Sequence, residues 1–218
     1  ATHYTPEDLS GKQACSADLM HAFGLDKVKD STPVIGIVSR FAAQKGFDLV
    51  AQIAGRLMER DVAVVALGSG EPEYEKFFRD WASRNPGRVA VEIGYDEAMA
   101  HKIEAGADIF LMPSRYEPCG LSQMYSLKYG TVPVVRATGG LDDTVEEWNP
   151  ALGKGTGFKF EGLTGEALLA AIDRALVAFQ DKNGWAKLMR NGMAQHYGWA
   201  GPAKKYAAVY EEVARRRA

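Results

Sequence analysis

Five short, nearly continuous runs of apolar residues constrain this chain more than anything else in it. They are Val34–Val38, Val62–Leu67, Val89–Ile93, Ile109–Met112 and Val132–Val135. Runs of this length, rich in β-branched residues and bounded by glycine or proline, read as strands buried on both faces. Helical patterns separate them. Leu49, Ile53 and Leu57 recur four apart after the first run, and a polar helix follows the second as far as Asn85-Pro86-Gly87. Glu97–Ala105 follows the third run and Gly120–Tyr129 the fourth. Buried strands alternating with helices predict a parallel sheet covered on both sides, a doubly wound, Rossmann-like α/β domain.

The two ends read differently. Ser10–Phe23 has the pattern of an amphipathic opening helix closed by Gly24, and Thr156–Phe160 reads as a last short strand. From there the chain turns helical. Leu168, Leu169, Ile172, Ala175 and Leu176 mark one helix face, Trp185, Leu188 and Met189 begin another, and Tyr206, Val209, Tyr210 and Val213 stripe a terminal helix. Gly184, Gly198 and Gly201-Pro202 punctuate this tail. The terminal Tyr and Trp residues are expected in the core. With no repeat, low-complexity stretch or long linker, residues 1–218 are read as one domain.

Composition narrows the function classes. A net charge of -2 argues against a nucleic-acid partner, which calls for a basic excess. No apolar run approaches the ~20 residues of a membrane span. The N-terminus lacks the basic-then-apolar pattern of a signal peptide, and its first residue is Ala1 rather than Met, as expected of a processed product or a fragment. The two cysteines, Cys15 and Cys119, lie far apart without metal-ligand spacing and are read as reduced thiols. His21, His101 and His196 fall in expected helices, also without ligand spacing, and are read as structural.

In an open parallel sheet, ligands bind beyond the carboxyl ends of the strands. The segments expected there are Ser39–Gly46, Gly68-Ser69-Gly70, Gly94-Tyr95-Asp96, Pro113–Leu121 and Arg136–Leu141. They bring cations, glycines, hydroxyls and Glu117 to one edge. Gly120 is expected where the fourth segment enters a helix, where free N–H groups and the helix dipole favour an anion. Arg40 and Lys45 add fixed positive charge suited to a diphosphate. Tyr95 could stack on a planar base, and Glu117 could accept hydrogen bonds from sugar hydroxyls. Each feature alone has a plainer reading: Arg40 and Lys45 as solvated charges, Tyr95 as surface or packing, Cys119 as a small buried residue, Thr138-Gly139-Gly140 as a helix start. Their convergence favours a site for a nucleotide-sugar.

The same residues carry a family resemblance. Ser39-Arg40 through Gln44-Lys45-Gly46-Phe47-Asp48-Leu49 resembles S-R-x-x-x-Q-K-G-x-D-L, and Pro113–Tyr125 is very close to P-S-R-x-E-P-C-G-L-x-Q-x-Y. Gly94–Ala98, Tyr129–Arg136, Thr138–Val145 and the tail from Tyr197 to Tyr210 continue the likeness. The pattern resembles bacterial glycogen synthases and plant starch synthases, retaining glucosyltransferases built of two Rossmann domains (the GT-B architecture), and covers nearly the whole chain.

That resemblance implies ADP-glucose as donor and the non-reducing end of an α-1,4-glucan as acceptor. It implies that Arg40 and Lys45 hold the diphosphate and Tyr95 lies on the adenine. Glu117 and the backbone of Cys119, Gly120 and Leu121 would hold the glucosyl group and distal phosphate, with Thr138 near the phosphates. No metal or cofactor is expected, since Arg, Lys and N–H groups can stabilise the leaving diphosphate. Relatives with a second Glu eight residues on have Tyr125 here, which disfavours a sucrose or mannosyl enzyme. The resemblance also implies an N-terminal domain with a Lys-Thr-Gly-Gly-Leu loop, catalytic His and Asp, and most of the acceptor site. These 218 residues do not contain it. They are therefore expected to be the C-terminal half of the enzyme, inactive alone, with a terminal helix that crosses onto the other half. A bacterial cytoplasm or plastid stroma would be the setting. Another nucleotide-sugar transferase of this fold, or a non-catalytic nucleotide-binding module, are the alternatives.

Overall fold

The structure is a computed structural model that describes residues 1–217. Helix α1 (Ser10–Ala22) leads to strand β1 (Val34–Val38), and a single 3-10 turn over Ala43–Lys45 precedes α2 (Phe47–Leu57). Then follow β2 (Ala63–Gly68), α3 (Pro72–Arg84), β3 (Val89–Ile93), α4 (Glu97–Gly106) and β4 (Ile109–Met112). The second half holds α5 (Ser122–Lys128), β5 (Val132–Arg136), α6 (Gly139–Thr144), β6 (Phe158–Phe160), α7 (Gly165–Gln180), α8 (Lys182–Met193) and α9 (Ala200–Arg217).

The six strands form one sheet in the order β3-β2-β1-β4-β5-β6, and every pairing is parallel. This is the doubly wound arrangement expected from the sequence. The pleat sends alternate residues to opposite faces. Ile35, Ile37, Val64, Ala66, Ile109 and Leu111 pack with α2, α3, α7 and α8. Val34, Val65, Leu67, Phe110 and Met112 face the other way, toward α1, α4 and α6. Both sides of each central strand are therefore dry, which is why the runs are continuous rather than alternating. Gly36 lies under α4, where an added Cβ would meet Ile103 at 2.6 Å. Each fully buried Ile or Leu contributes ~1.5–3 kcal/mol.

Three expectations need correction. The helix expected from Gly120 begins at Ser122, because Gly120 has φ +70° and belongs to the preceding turn. His196 lies in the irregular stretch between α8 and α9 rather than in a helix. The terminal aromatics divide: Trp185 is core at 4% exposure, whereas Trp199 is 77%, Tyr206 59% and Tyr210 70% exposed. Helical spacing shows that a stripe exists, not which body covers it.

Candidate active site

The strand order reverses between β1 and β4. From β1 the chain winds outward through β2 to β3, and from β4 it winds the other way through β5 to β6. The loops leaving β1 and β4 therefore diverge and open a crevice, the usual place for a ligand in such a sheet. Arg40 and Lys45 lie on the first of these loops and Glu117 on the second.

The crevice is held by backbone contacts. Arg115 N donates to Gln44 O at 2.8 Å, and Gln44 Nε2 donates to Tyr116 O at 3.0 Å. Gly46 sits against the Pro113 carbonyl, which a Cβ would meet at 2.0 Å, and its φ of +74° also requires glycine. Arg136, at the end of β5, donates from Nε to Ser114 O at 2.8 Å and from its guanidinium to Arg115 O. The loops thus present their side chains from a fixed frame.

Lys45 and Glu117 meet on that frame. Lys45 Nζ lies 2.6 Å from Glu117 Oε2, and Ser114 Oγ donates to the same oxygen at 3.2 Å. The Glu117 side chain is 9% exposed and that of Lys45 20%. A carboxylate this buried requires such partners. Glu117 also fixes its surroundings through its backbone. Its carbonyl accepts from Gly140 N at 2.9 Å, and a Cβ on Gly140 would lie 1.8 Å from the Cys119 carbonyl. The turn bearing Thr138 is thereby strapped to the loop bearing Glu117.

Between them the backbone turns outward. The N–H groups of Cys119, Gly120 and Leu121 donate to no protein acceptor among the described residues. Gln123, fully buried, holds this turn from below: its Nε2 lies 3.1 Å from Cys119 O and 3.0 Å from Gly120 O. A short row of free donors beside a lysine can receive an anion.

Not every expected site residue is gathered in. Arg40 is exposed on the β1 loop, and Tyr95 is 88% exposed beyond β3, two strands from β1. Two strand spacings are roughly 10 Å. Cys119 is exposed, Leu121 is 55% exposed, and Thr138 is half-buried at the start of α6 without capping it. All lie on the carboxyl edge, but no contact joins Arg40 or Tyr95 to Glu117. Gln44, Ser114, Gln123 and Arg136, to which the sequence motifs assign no role, position the loops. Their partners are mostly carbonyl oxygens, which leave no mark in a sequence.

No group of three or more His, Cys, Asp or Glu is gathered among the described residues, and no described helix is long and apolar enough to cross a membrane. Cys15 is buried and Cys119 exposed, both as free thiols. A family model described as glycosyl transferases group 1 matches residues 26–187. The chain belongs to that family. Among its glycosyl transferase relatives, a glycogen synthase of Koribacter versatilis is 54% identical over 218 residues, all of this chain and 45% of that protein. A glycogen synthase of Anaeromyxobacter dehalogenans is 53% identical over 97% of this chain and 44% of its own length. The chain thus spans less than half the length of these relatives. Among solved structures, the catalytic domain of starch synthase IV from Arabidopsis thaliana, bound to ADP and acarbose, superposes with a TM-score of 0.87 at 30% identity, covering 97% of this chain and 44% of that one. A sucrose-phosphate synthase from Thermosynechococcus elongatus shares the fold at a TM-score of 0.67 and 21% identity, over 92% of this chain and 49% of that one.

Proposed function

We propose that this chain is the donor-binding C-terminal half of a glycogen or starch synthase. The activity would be transfer of glucose from ADP-glucose to the non-reducing end of an α-1,4-glucan, with retention. The observation that carries this reading is the Lys45–Glu117 pair at the sheet's switch point, beside the free N–H groups of Cys119, Gly120 and Leu121. The glycogen synthase relatives and the ADP-bound starch synthase neighbour support it.

In this reading each group meets a part of the donor. Departure of the glucosyl group leaves negative charge on the diphosphate. Lys45 and the free N–H groups would stabilise that charge as it develops, with Arg40 swinging in from its exposed place on the β1 loop. Glu117 accepts hydrogen bonds from glucosyl hydroxyls, and its carboxylate keeps Lys45 oriented. Tyr95 offers its exposed ring to the adenine, and Thr138 borders the phosphates. The other half of the enzyme supplies the acceptor site and further donor contacts, and covers the apolar stripe of α9. The setting is a bacterial cytoplasm or a plastid stroma.

Glucan elongation from ADP-glucose tests the reading. The 218-residue chain should show none alone and should elongate once joined to the remaining half of such a synthase. Robust elongation by the isolated chain would overturn the division of labour. Preference for UDP- or GDP-glucose in the joined protein would overturn the donor.

A further inference from the structure

A chain of hydrogen bonds leads from the free N–H groups of the crevice to the tail of the protein. Gln123, in the first turn of α5, is fully buried. Its Nε2 faces three acceptors: Cys119 O at 3.1 Å, Gly120 O at 3.0 Å and Thr144 Oγ1 at 3.1 Å. Two of them are carbonyls, which can only accept, so the amide nitrogen must be the atom that meets them. Thr144, the last residue of α6, donates its one O–H to Gly140 O at 2.5 Å and is left to accept from Gln123. Its backbone carbonyl accepts from the Tyr197 hydroxyl at 2.8 Å.

These contacts decide where the free N–H groups point. Every peptide bond here is trans, and in a trans peptide the C=O and the next residue's N–H point in opposite directions. The amide of Gln123 draws the Cys119 and Gly120 carbonyls inward. The N–H groups of Gly120 and Leu121, which share those two peptide planes, are therefore turned outward.

Stability alone does not account for Gln123. Its Oε1 is buried and has no hydrogen-bond partner. A dry acceptor is costly, and an apolar side chain of similar length would avoid that cost. Such a side chain could not hold two carbonyls, and the direction of two donors would be lost with it. Thr144 fixes the amide from below and is itself held at two points. One is Gly140, whose N–H also straps Glu117 O. The other is Tyr197, whose bond is the last that ties the tail to the sheet among the described residues; residues 200–216 beyond it are all exposed.

We propose that Thr144 and Tyr197 are positioning residues for the donor site: through Gln123 they set the direction of the Gly120 and Leu121 N–H groups. The proposal rests on the donor reading for what those groups receive, a phosphate of the nucleotide-sugar.

The test compares Thr144→Val, Thr144→Ser and Tyr197→Phe with the parent 218-residue chain. Val keeps the shape of Thr without its hydroxyl, and Ser keeps the hydroxyl. Backbone amide NMR without nucleotide reads the direction of the donors, and calorimetry with ADP reads its use. Thr144→Val should shift the Gly120 and Leu121 amides and weaken ADP binding about 5- to 10-fold. Thr144→Ser should restore the shifts and bring the affinity to within about twofold of the parent. Tyr197→Phe should shift the same two amides and weaken ADP binding about threefold, whereas Tyr206→Phe, exposed on α9, should change neither. Amides of Gly120 and Leu121 left unmoved by Thr144→Val or by Tyr197→Phe would overturn the proposal, as would a Ser variant no better than the Val one. Failure of the parent chain to bind ADP would overturn the donor reading, whereas the amide comparison, made without nucleotide, decides the relay by itself.

Discussion

Lys45 Nζ and Glu117 Oε2 lie 2.6 Å apart although 72 residues separate them in the chain. Two loops that leave adjacent strands in opposite directions make that contact possible. Removal of the lysine leaves a nearly buried carboxylate with only the Ser114 hydroxyl. Lys45→Ala is therefore expected to destabilise the chain by ~1–3 kcal/mol, read from the denaturant midpoint. In a complete synthase it should lower turnover by ~100- to 1,000-fold, the range for loss of one preorganised charge-stabilising group. Turnover within threefold of the parent would remove Lys45 from the chemistry.

Gly140 and Gly55 form a controlled pair. A Cβ at Gly140 would lie 1.8 Å from the Cys119 carbonyl, whereas nothing lies within 4 Å of a Cβ at Gly55 in α2. Gly140→Ala should cost ~1–3 kcal/mol or more through forced backbone movement and weaken nucleotide binding with it. Gly55→Ala should stabilise by up to ~1 kcal/mol through helix propensity and leave binding alone. Thermal melts with ADP titrations read both. Equal effects of the two substitutions would deny the strap between the Thr138 turn and Glu117.

Lys12 gives the fold a pH dependence of definite sign. Its folded pKa, drawn down by burial to about 7, lies below the ordinary value of 10.5, so between those values the unfolded chain holds a proton that the folded chain has released. Stability should therefore rise with pH from 7 toward 9. The ionisable groups around it are Asp108 before β4, Cys15 on α1, Tyr4 and Tyr129. Burial raises both tyrosines, which places their titration above this window. Lys12→Met should flatten the rise in denaturant midpoint. A midpoint of the parent chain that falls over the same interval would contradict the assignment.

The α9 stripe separates exposure from core packing. Tyr206 and Tyr210 are 59% and 70% exposed, so the double change to Ser should alter the stability of the isolated chain by no more than about 0.5 kcal/mol per site. Trp185→Ala, at a core position, should cost ~3–5 kcal/mol. In the joined enzyme the tyrosine changes should weaken association of the two halves. Stability losses like that of Trp185→Ala would show instead that α9 packs on this domain.

Much of the fold was legible because buried parallel strands leave an unmistakable pattern. Ile35 and Ile37 alternate with Val34, yet all are apolar, since both faces of β1 are covered. Strand order was not legible, because pairing is set by helices that could cross in either direction. Within the site, the family motifs singled out Lys45 and Glu117, but residue chemistry alone left Arg40 and Tyr95 as plausible surface groups. The start of α5 was misplaced because Gly120 reads equally well as a helix entrance and as a left-handed turn. Gln123 and Arg136 act on carbonyl oxygens, and Lys12 with Asp108 becomes notable only once burial is known.

The most direct measurement is a calorimetric titration of the 218-residue chain with ADP, with GDP and UDP as controls and Lys45→Ala in parallel. Weak binding selective for ADP and reduced by about tenfold or more in the variant is the predicted result. Binding of ADP undiminished in Lys45→Ala, or equal binding of all three nucleotides, would contradict a donor site at the Lys45–Glu117 edge.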